Sequence, residues 1–274
     1  MIFLSHTPGV NWTHPLARDL LAWWLCLPGM NEGGIWNNLC ARPGEGGFHG
    51  TMTNFSPKSG TVGFHGARRP GGFGSMGFNG SNSTILVNTA GHMFPRLRVG
   101  TFMGWAFPTS AVAGRMFTHS TQDTIWLVCD NNGAGGKFHA IALVYDGGNK
   151  QVNSSLYLPR FPYHVTMTWD ATIIRLYVNA KLDGTLAAGA PNYVGAEFSL
   201  AIGSNATPSG AYFTGYLDDM RVYTRPLAPE EIQYAYENSS VGCPGLLRRA
   251  SFPMTPPGGF GSLLGSKRNR LVRT

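Results

Sequence analysis

Phe213-Thr-Gly-Tyr-Leu-Asp-Asp-Met-Arg-Val-Tyr-Thr-Arg-Pro-Leu-Ala-Pro-Glu-Glu-Ile-Gln-Tyr-Ala-Tyr-Glu237 reads as a strand that turns into a short helix. Leu217, Met220, Val222 and Tyr223 lie in a run of β-formers, and Pro226 ends it because proline has no N–H to give to a ladder. A helix start follows at once. Pro229 suits a first turn, Glu230 and Glu231 complement its positive end, and Ile232, Ala235 and Tyr236 recur at helical spacing.

Upstream of this stretch, strand-like segments recur at 75–79, 83–88, 99–107, 114–119, 124–129, 137–145, 152–158, 162–169, 172–179, 182–187 and 197–203. Asn79-Gly80, Asn131-Asn132-Gly133, Asp146-Gly147-Gly148 and Asp183-Gly184 mark turns between them. About a dozen short strands at hairpin spacing predict an all-β fold, a two-sheet antiparallel jelly-roll sandwich. Alternation on 173–179 sends Ile174, Leu176 and Val178 inward. Between Leu27 and Gly50 the chain is rich in Gly and Asn, with Trp36 and Leu39 as plugs beneath an irregular excursion. Phe55 to Gly74 reads as a second loop, whose Arg68-Arg69-Pro70 run is expected to be a solvated turn.

These residues carry a resemblance. The 213–237 stretch resembles the C-terminal signature of laminin-G-like jelly-roll domains of the concanavalin A-like lectin and glucanase superfamily, a Gly-x-hydrophobic-Asp-Asp strand before a Leu-Ala-x-Glu-Glu-Ile helix. Tyr163-His-Val-Thr-Met-Thr-Trp-Asp170 with Ile174-Arg-Leu-Tyr-Val-Asn179 resembles the family's paired central strands. Gly77-Phe-Asn-Gly-Ser-Asn82, Leu20-Leu-Ala-Trp-Trp-Leu25 and Phe48-His-Gly-Thr51 resemble earlier elements, in the same order. The likeness spans residues 16–238. It implies that Asp218 and Asp219 satisfy backbone donors or nearby turns.

The domain reading is an N-terminal extension at 1–15, one sandwich domain at 16–243 and a basic arm at 244–274. The 37 Gly and 18 Pro of the 274 residues fit many tight turns, and charged residues make up only 13%. So weakly charged a surface suggests packing against a partner. Arg248, Arg249, Lys267, Arg268, Arg270 and Arg273 give the arm +6 of the formal +7, with no acid among them. Its Pro- and Gly-rich sequence cannot bury itself by its own periodicity, so an ordered arm needs a partner, with Phe252, Phe260, Leu263 and Leu264 as anchors. The alternative is a solvated terminus. The Lys267-Arg268-Asn269-Arg270 cluster could also meet phosphate, but no nucleic-acid module surrounds it, and docking on protein ranks above it.

Chemistry is sparse. No Glu-x-Asp-x-x-Glu pattern offers the paired carboxylates of a glucanase, and adjacent Asp218 and Asp219 on a strand are expected to face opposite ways. Gly-x-Ser-x-Gly, His-Glu-x-x-His and the phosphate-binding Gly-x-x-x-x-Gly-Lys motif are absent. The eight histidines are scattered, and His49 and His65 read as turn or packing residues. Cys26, Cys40, Cys129 and Cys243 show no Cys-x-x-Cys spacing and read as free thiols. Asp123, Asp130 and Asp146, with Asn131 and Asn132, are weak calcium candidates in rim loops; no cofactor is expected. Trp36, Trp126, Tyr145, Tyr157 and Tyr212 are candidate glycan platforms, whereas Trp23, Trp24, Trp105 and Trp169 sit in hydrophobic strands as core.

The N-terminus has neither a basic start nor a long apolar stretch, and no run reaches a membrane span, so synthesis in a cytoplasm without a signal peptide is expected. These features lead to two expectations. One is a non-enzymatic structural protein that decorates or cements a large assembly such as a virus or phage particle, oligomeric there and docked on shell subunits through its extended ends. The other is a carbohydrate-binding adhesin using rim loops, with or without calcium.

Overall fold

The computed structural model describes residues 10–27, 34–41, 47–55, 63–70, 72–87, 94–119, 123–130, 135–193, 199–207 and 209–239. Sixteen strands follow in chain order among them: β1 Leu20–Trp24, β2 Ile35–Trp36, β3 Gly50–Thr53, β4 Gly63–Gly66, β5 Gly74–Asn79, β6 Thr84–Val87, β7 Gly100–Pro108 and β8 Gly114–His119. They continue with β9 Ile125–Asp130, β10 His139–Tyr145, β11 Asn149–Asn153, β12 Tyr163–Trp169, β13 Ile173–Val178, β14 Lys181–Ala187, β15 Leu200–Ile202 and β16 Thr214–Tyr223, before helix α1, Pro229–Glu237. No helix among the described residues is long and apolar enough to cross a membrane.

The strands form two antiparallel sheets. Sheet 1 runs β14-β13-β12-β7-β16-β5-β4, with β1 also on β16; sheet 2 runs β11-β10-β9-β8-β15-β6-β3-β2. This is the expected jelly-roll sandwich. Alternation fills its interior as read: Ile174, Leu176 and Val178 point in, against Phe102, Phe117, Leu127, Val165 and Trp169. Phe102 stacks on Phe117 across the sandwich at 4.9 Å, and Trp169 meets it edge-on at 5.0 Å.

A second apolar layer lies outside sheet 1. Ile232 and Ala235 of α1 pack with Trp23, Met103, Tyr177, Tyr223 and Leu227, as the helical spacing predicts. Trp105 stacks on Tyr236 at 5.5 Å and donates its indole N–H to Ser239 Oγ at 2.8 Å.

Four strands depart from the sequence expectation. β2 and β4 fall in stretches read as loops, β3 lies between those stretches where no strand was read, and β11 begins at Asn149, not Val152. Trp36 and Leu39 are buried as plugs. Cys26 and Cys129 are buried free thiols, Cys40 is half-buried, and Cys243 lies outside the described residues.

Candidate functional site

The signature aspartates fall where β16 changes partner on one edge. β5 pairs with Thr214 to Leu217, and β1 takes over from Met220 to Tyr223. In the gap β16 bulges against β7, with Asp219 in the left-handed region at φ 55°. The bulge corrects the expected alternation: both carboxylates turn toward the same buried cluster. Asp218 accepts the Cys26 amide at 2.9 Å, and Asp219 accepts the Trp23 indole N–H at 2.6 Å. The two side chains therefore join β1 to β16 where the ladder is interrupted, the structural role that the resemblance implied.

Each carboxylate has a cation. Arg69 donates Nε to Asp218 at 2.5 Å, and Arg221 holds Asp219 through two bonds of 2.8 and 3.1 Å. All four side chains are almost completely out of water. Arg69 is thus no solvated turn residue; its partner lies 149 positions away, which no local reading reveals. Burial pushes the Asp218 carboxyl up while Arg69 pulls it down. Burial, reinforced by facing Arg221 and Arg69, brings His164 down to about 3.

Beyond Trp105 the outer face of sheet 1 opens into a cleft. It is a shallow dimple among Arg68, Arg69, Trp105, Phe107, Pro162 and Tyr216, with Ser75 and Asp218 also lining it. Phe107 and Tyr216 are direct partners across β7 and β16, with ring centroids 6.0 Å apart. His65 lies 5.0 Å from Tyr216, and the Arg68 guanidinium rests 4.6 Å from the centre of the Tyr216 ring. Leu217 points inward, so Tyr216 must point outward; that much was legible. The conjunction with Arg68 and Arg69 was not.

The platform candidates are dispersed. Trp36 is fully buried because β2 turns it inward, where its indole N–H meets Leu25 O at 3.3 Å; it is core. Tyr157 packs against Phe138 and Tyr163 and donates its hydroxyl to Asp183 at 2.7 Å. Trp126 and Tyr145 are half-buried on the outer face of sheet 2, Leu143 lying opposite Trp126. The Arg115 guanidinium covers the Trp126 ring at 5.1 Å and is fixed there by Asp123 at 2.8 Å. Tyr212 is half-buried just before β16.

The calcium candidates are likewise apart. Asp123 is spent on Arg115, Asp146 accepts the Gly189 amide at 2.8 Å, and Asp130 ends β9. Among the described residues no three His, Cys, Asp or Glu side chains gather as a metal site. Asn131, Asn132 and the whole docking arm (Arg248, Arg249, Phe252, Phe260, Leu263, Leu264, Lys267, Arg268, Arg270, Arg273) lie outside the described residues.

Two face-to-face antiparallel sheets, an outer helix and a shallow aromatic cleft define a lectin-type β-sandwich. A laminin-G family model of the concanavalin A-like lectin/glucanases superfamily matches residues 79–233, more than half of the chain, and the protein belongs to that superfamily. No curated protein matches it in sequence. Solved structures are similar in fold. Domain 4 of AbnA, an extracellular arabinanase from Geobacillus stearothermophilus, shares 17% identity over 78% of this chain and 97% of its own, with a TM-score of 0.52. The Trypanosoma rangeli sialidase shares 14% over 82% of this chain and 33% of its own, at 0.54. The binding domain of botulinum neurotoxin DC shares 9% over 81% and 51%, at 0.51.

Proposed function

We propose that the protein is a carbohydrate-binding module that acts without catalysis, with the cleft on sheet 1 as its ligand surface. The Phe107–Tyr216 pair beside Ser75, Arg68 and Arg69 carries this reading. A sugar ring offers an apolar face to aromatic rings, which Phe107 and Tyr216 supply, and hydroxyls to polar neighbours, for which the exposed Arg68 stands at the rim. Three of the similar folds were solved with sugars: the arabinanase domain with arabinotriose, the sialidase with sialic acid and the toxin domain with SialylT.

Binding is favoured over turnover on chemical grounds. Glycoside hydrolysis by the usual route needs two carboxyl groups flanking the scissile bond. Among the described residues the one carboxylate lining the cleft is Asp218, and it is already held by Arg69 and the Cys26 amide. A glycan array read with the intact protein and with Tyr216→Ala tests the proposal. Tyr216 is half-buried on an outer face, so its loss leaves the sandwich core intact. Affinity should fall by roughly tenfold or more, the worth of about one stacked ring. Silence across the array, or a Tyr216→Ala profile equal to that of the parent, would sink the reading.

A further inference from the structure

We infer that one end of the sandwich, where the connection from β11 to β12 meets the start of β14, docks on an anionic lipid surface and inserts Leu158 and Phe161 among the headgroups. This end borders the cleft at Pro162, and its role does not depend on the carbohydrate reading.

Five of the nine exposed large apolar side chains among the described residues stand at this end: Val112, Leu156, Leu158, Phe161 and Leu182, each between 45% and 56% exposed. Strand pairing brings them there. Tyr163, which opens β12, lies opposite Ala106 near the end of β7, and Val165 lies opposite Val178, where β13 ends and the chain turns into β14. Val112 comes from the connection between β7 and β8, Leu156, Leu158 and Phe161 from that between β11 and β12, and Leu182 from β14. The β11 to β12 connection is tied down. Arg160, at φ 69°, donates its amide to Pro108 O at 2.6 Å, and Tyr157 bridges to Phe138. Asp183 accepts the Ser155 amide, the Ser155 hydroxyl and the Tyr157 hydroxyl at 3.1, 2.8 and 2.7 Å. Tyr157 packs inward on Phe138 and Tyr163, so Leu156 and Leu158 on either side of it point out. Side chains displayed on so fixed a connection lose little freedom when they bind.

The charge around them selects the partner. Lys137, Arg160 and Lys181 are exposed at this end, and none of them is in an ion pair among the described residues. Two carboxylates lie near: Asp183, turned onto its three donors, and the half-buried Asp130, opposite His139 where β10 begins. The cations therefore face outward while the better-placed acid is spent on the protein. A clustered apolar surface marks an interaction site, whereas single exposed residues do not. A folded partner must match the shape of what it covers, and these side chains stand on separate connections around a rim. A bilayer interface asks for no such match. It takes up any apolar side chain that protrudes, and its anionic headgroups attract Lys and Arg beside the insertion.

The test is sedimentation of the full chain with sugar-free vesicles, either phosphatidylcholine alone or phosphatidylcholine with roughly a quarter phosphatidylserine. Binding to the anionic vesicles should exceed binding to the neutral ones at least about tenfold and should weaken as salt rises. Replacing both Leu158→Ser and Phe161→Ser should cut it by at least about tenfold. Both side chains are exposed, so the double variant keeps its core, and it keeps the basic arm, so the loss reads this end alone. Phe161→Trp should add a blue-shifted emission on the anionic vesicles. A double variant that binds as tightly as the parent would assign the attraction to the arm and overturn the inference, as would a parent that binds neither vesicle. Self-association of the parent without lipid binding, abolished in the double variant, would make this end a contact between copies and overturn it too. Each of these failures leaves the carbohydrate reading standing, because the vesicles carry no sugar.

Discussion

His119 and His164 sit almost wholly out of water. His119 shares a hydrogen bond with the Tyr193 hydroxyl at 3.0 Å, and His164 lies 5.3 Å from the Trp105 ring. Burial holds each near 3, against an ordinary 6.5. The unfolded chain therefore gains protons below pH 6.5 that the folded chain refuses, and stability is present above that value and lost as pH falls toward 3. Two such groups give a slope of up to about 2.7 kcal/mol per pH unit. Asp170 and Glu231, held low by their hydrogen bonds and Arg partners, add to the loss at the acid end. Asp218, raised by burial, opposes it. Urea titrations at pH 7, 6, 5 and 4 should show a midpoint that drops steadily from pH 6 downward; a midpoint flat across the series would show that these histidines are not held neutral.

Helix α1 turns a local sequence signal into cover for sheet 1. Glu231 grips Arg225 through two bonds of 2.6 Å and accepts the Ala228 amide at 2.9 Å, so one side chain closes both the turn after β16 and the first turn of the helix. Glu231→Ala should cost about 1–2 kcal/mol, a cap together with a partly exposed ion pair; a denaturant midpoint unchanged within error would count against this role. The same stretch shows what was legible. Strand β16 and α1 were readable because Leu217, Val222, Ile232 and Ala235 keep their periods and Pro226 and Pro229 punctuate them. Strands β3 and β4 were not, since Gly50-Thr-Met-Thr53 and Gly63-Phe-His-Gly66 show too little apolar alternation over four residues each. Strand β11 is an edge strand of polar residues, Asn149, Gln151 and Asn153, whereas the more apolar Leu156 and Leu158 beyond it are exposed at 45% and 53%. The cleft was hidden for another reason. It needs Arg69, Trp105 and Tyr216 to meet through sheet pairing, and the bulge at Asp218 and Asp219 that orients the network reverses the alternation on which a strand reading depends.

At the scale of the whole molecule, charge and core are separated along the chain. Among the described residues both apolar clusters are built from residues between Val10 and Ala235, while +6 of the formal +7 lies in 244–274. The described sandwich builds these clusters from its own residues, and the arm's sequence carries charge and a few apolar side chains. We propose that the arm is the docking element for a partner in a larger assembly, a role independent of the cleft. A chain truncated after Cys243 should keep the melting midpoint of the parent to within a few degrees, since the described cores are built from residues up to Ala235. It should also keep its glycan profile. What it should lose is co-sedimentation with particles across a density gradient of the native source. The intact chain should sediment there at a fixed ratio to a major shell protein, and more weakly as salt screens the basic cluster. Co-sedimentation retained by the truncated chain would move docking onto the sandwich itself. An intact chain that stays at the top of the gradient would leave the cleft, and not the assembly, as the place to look for function.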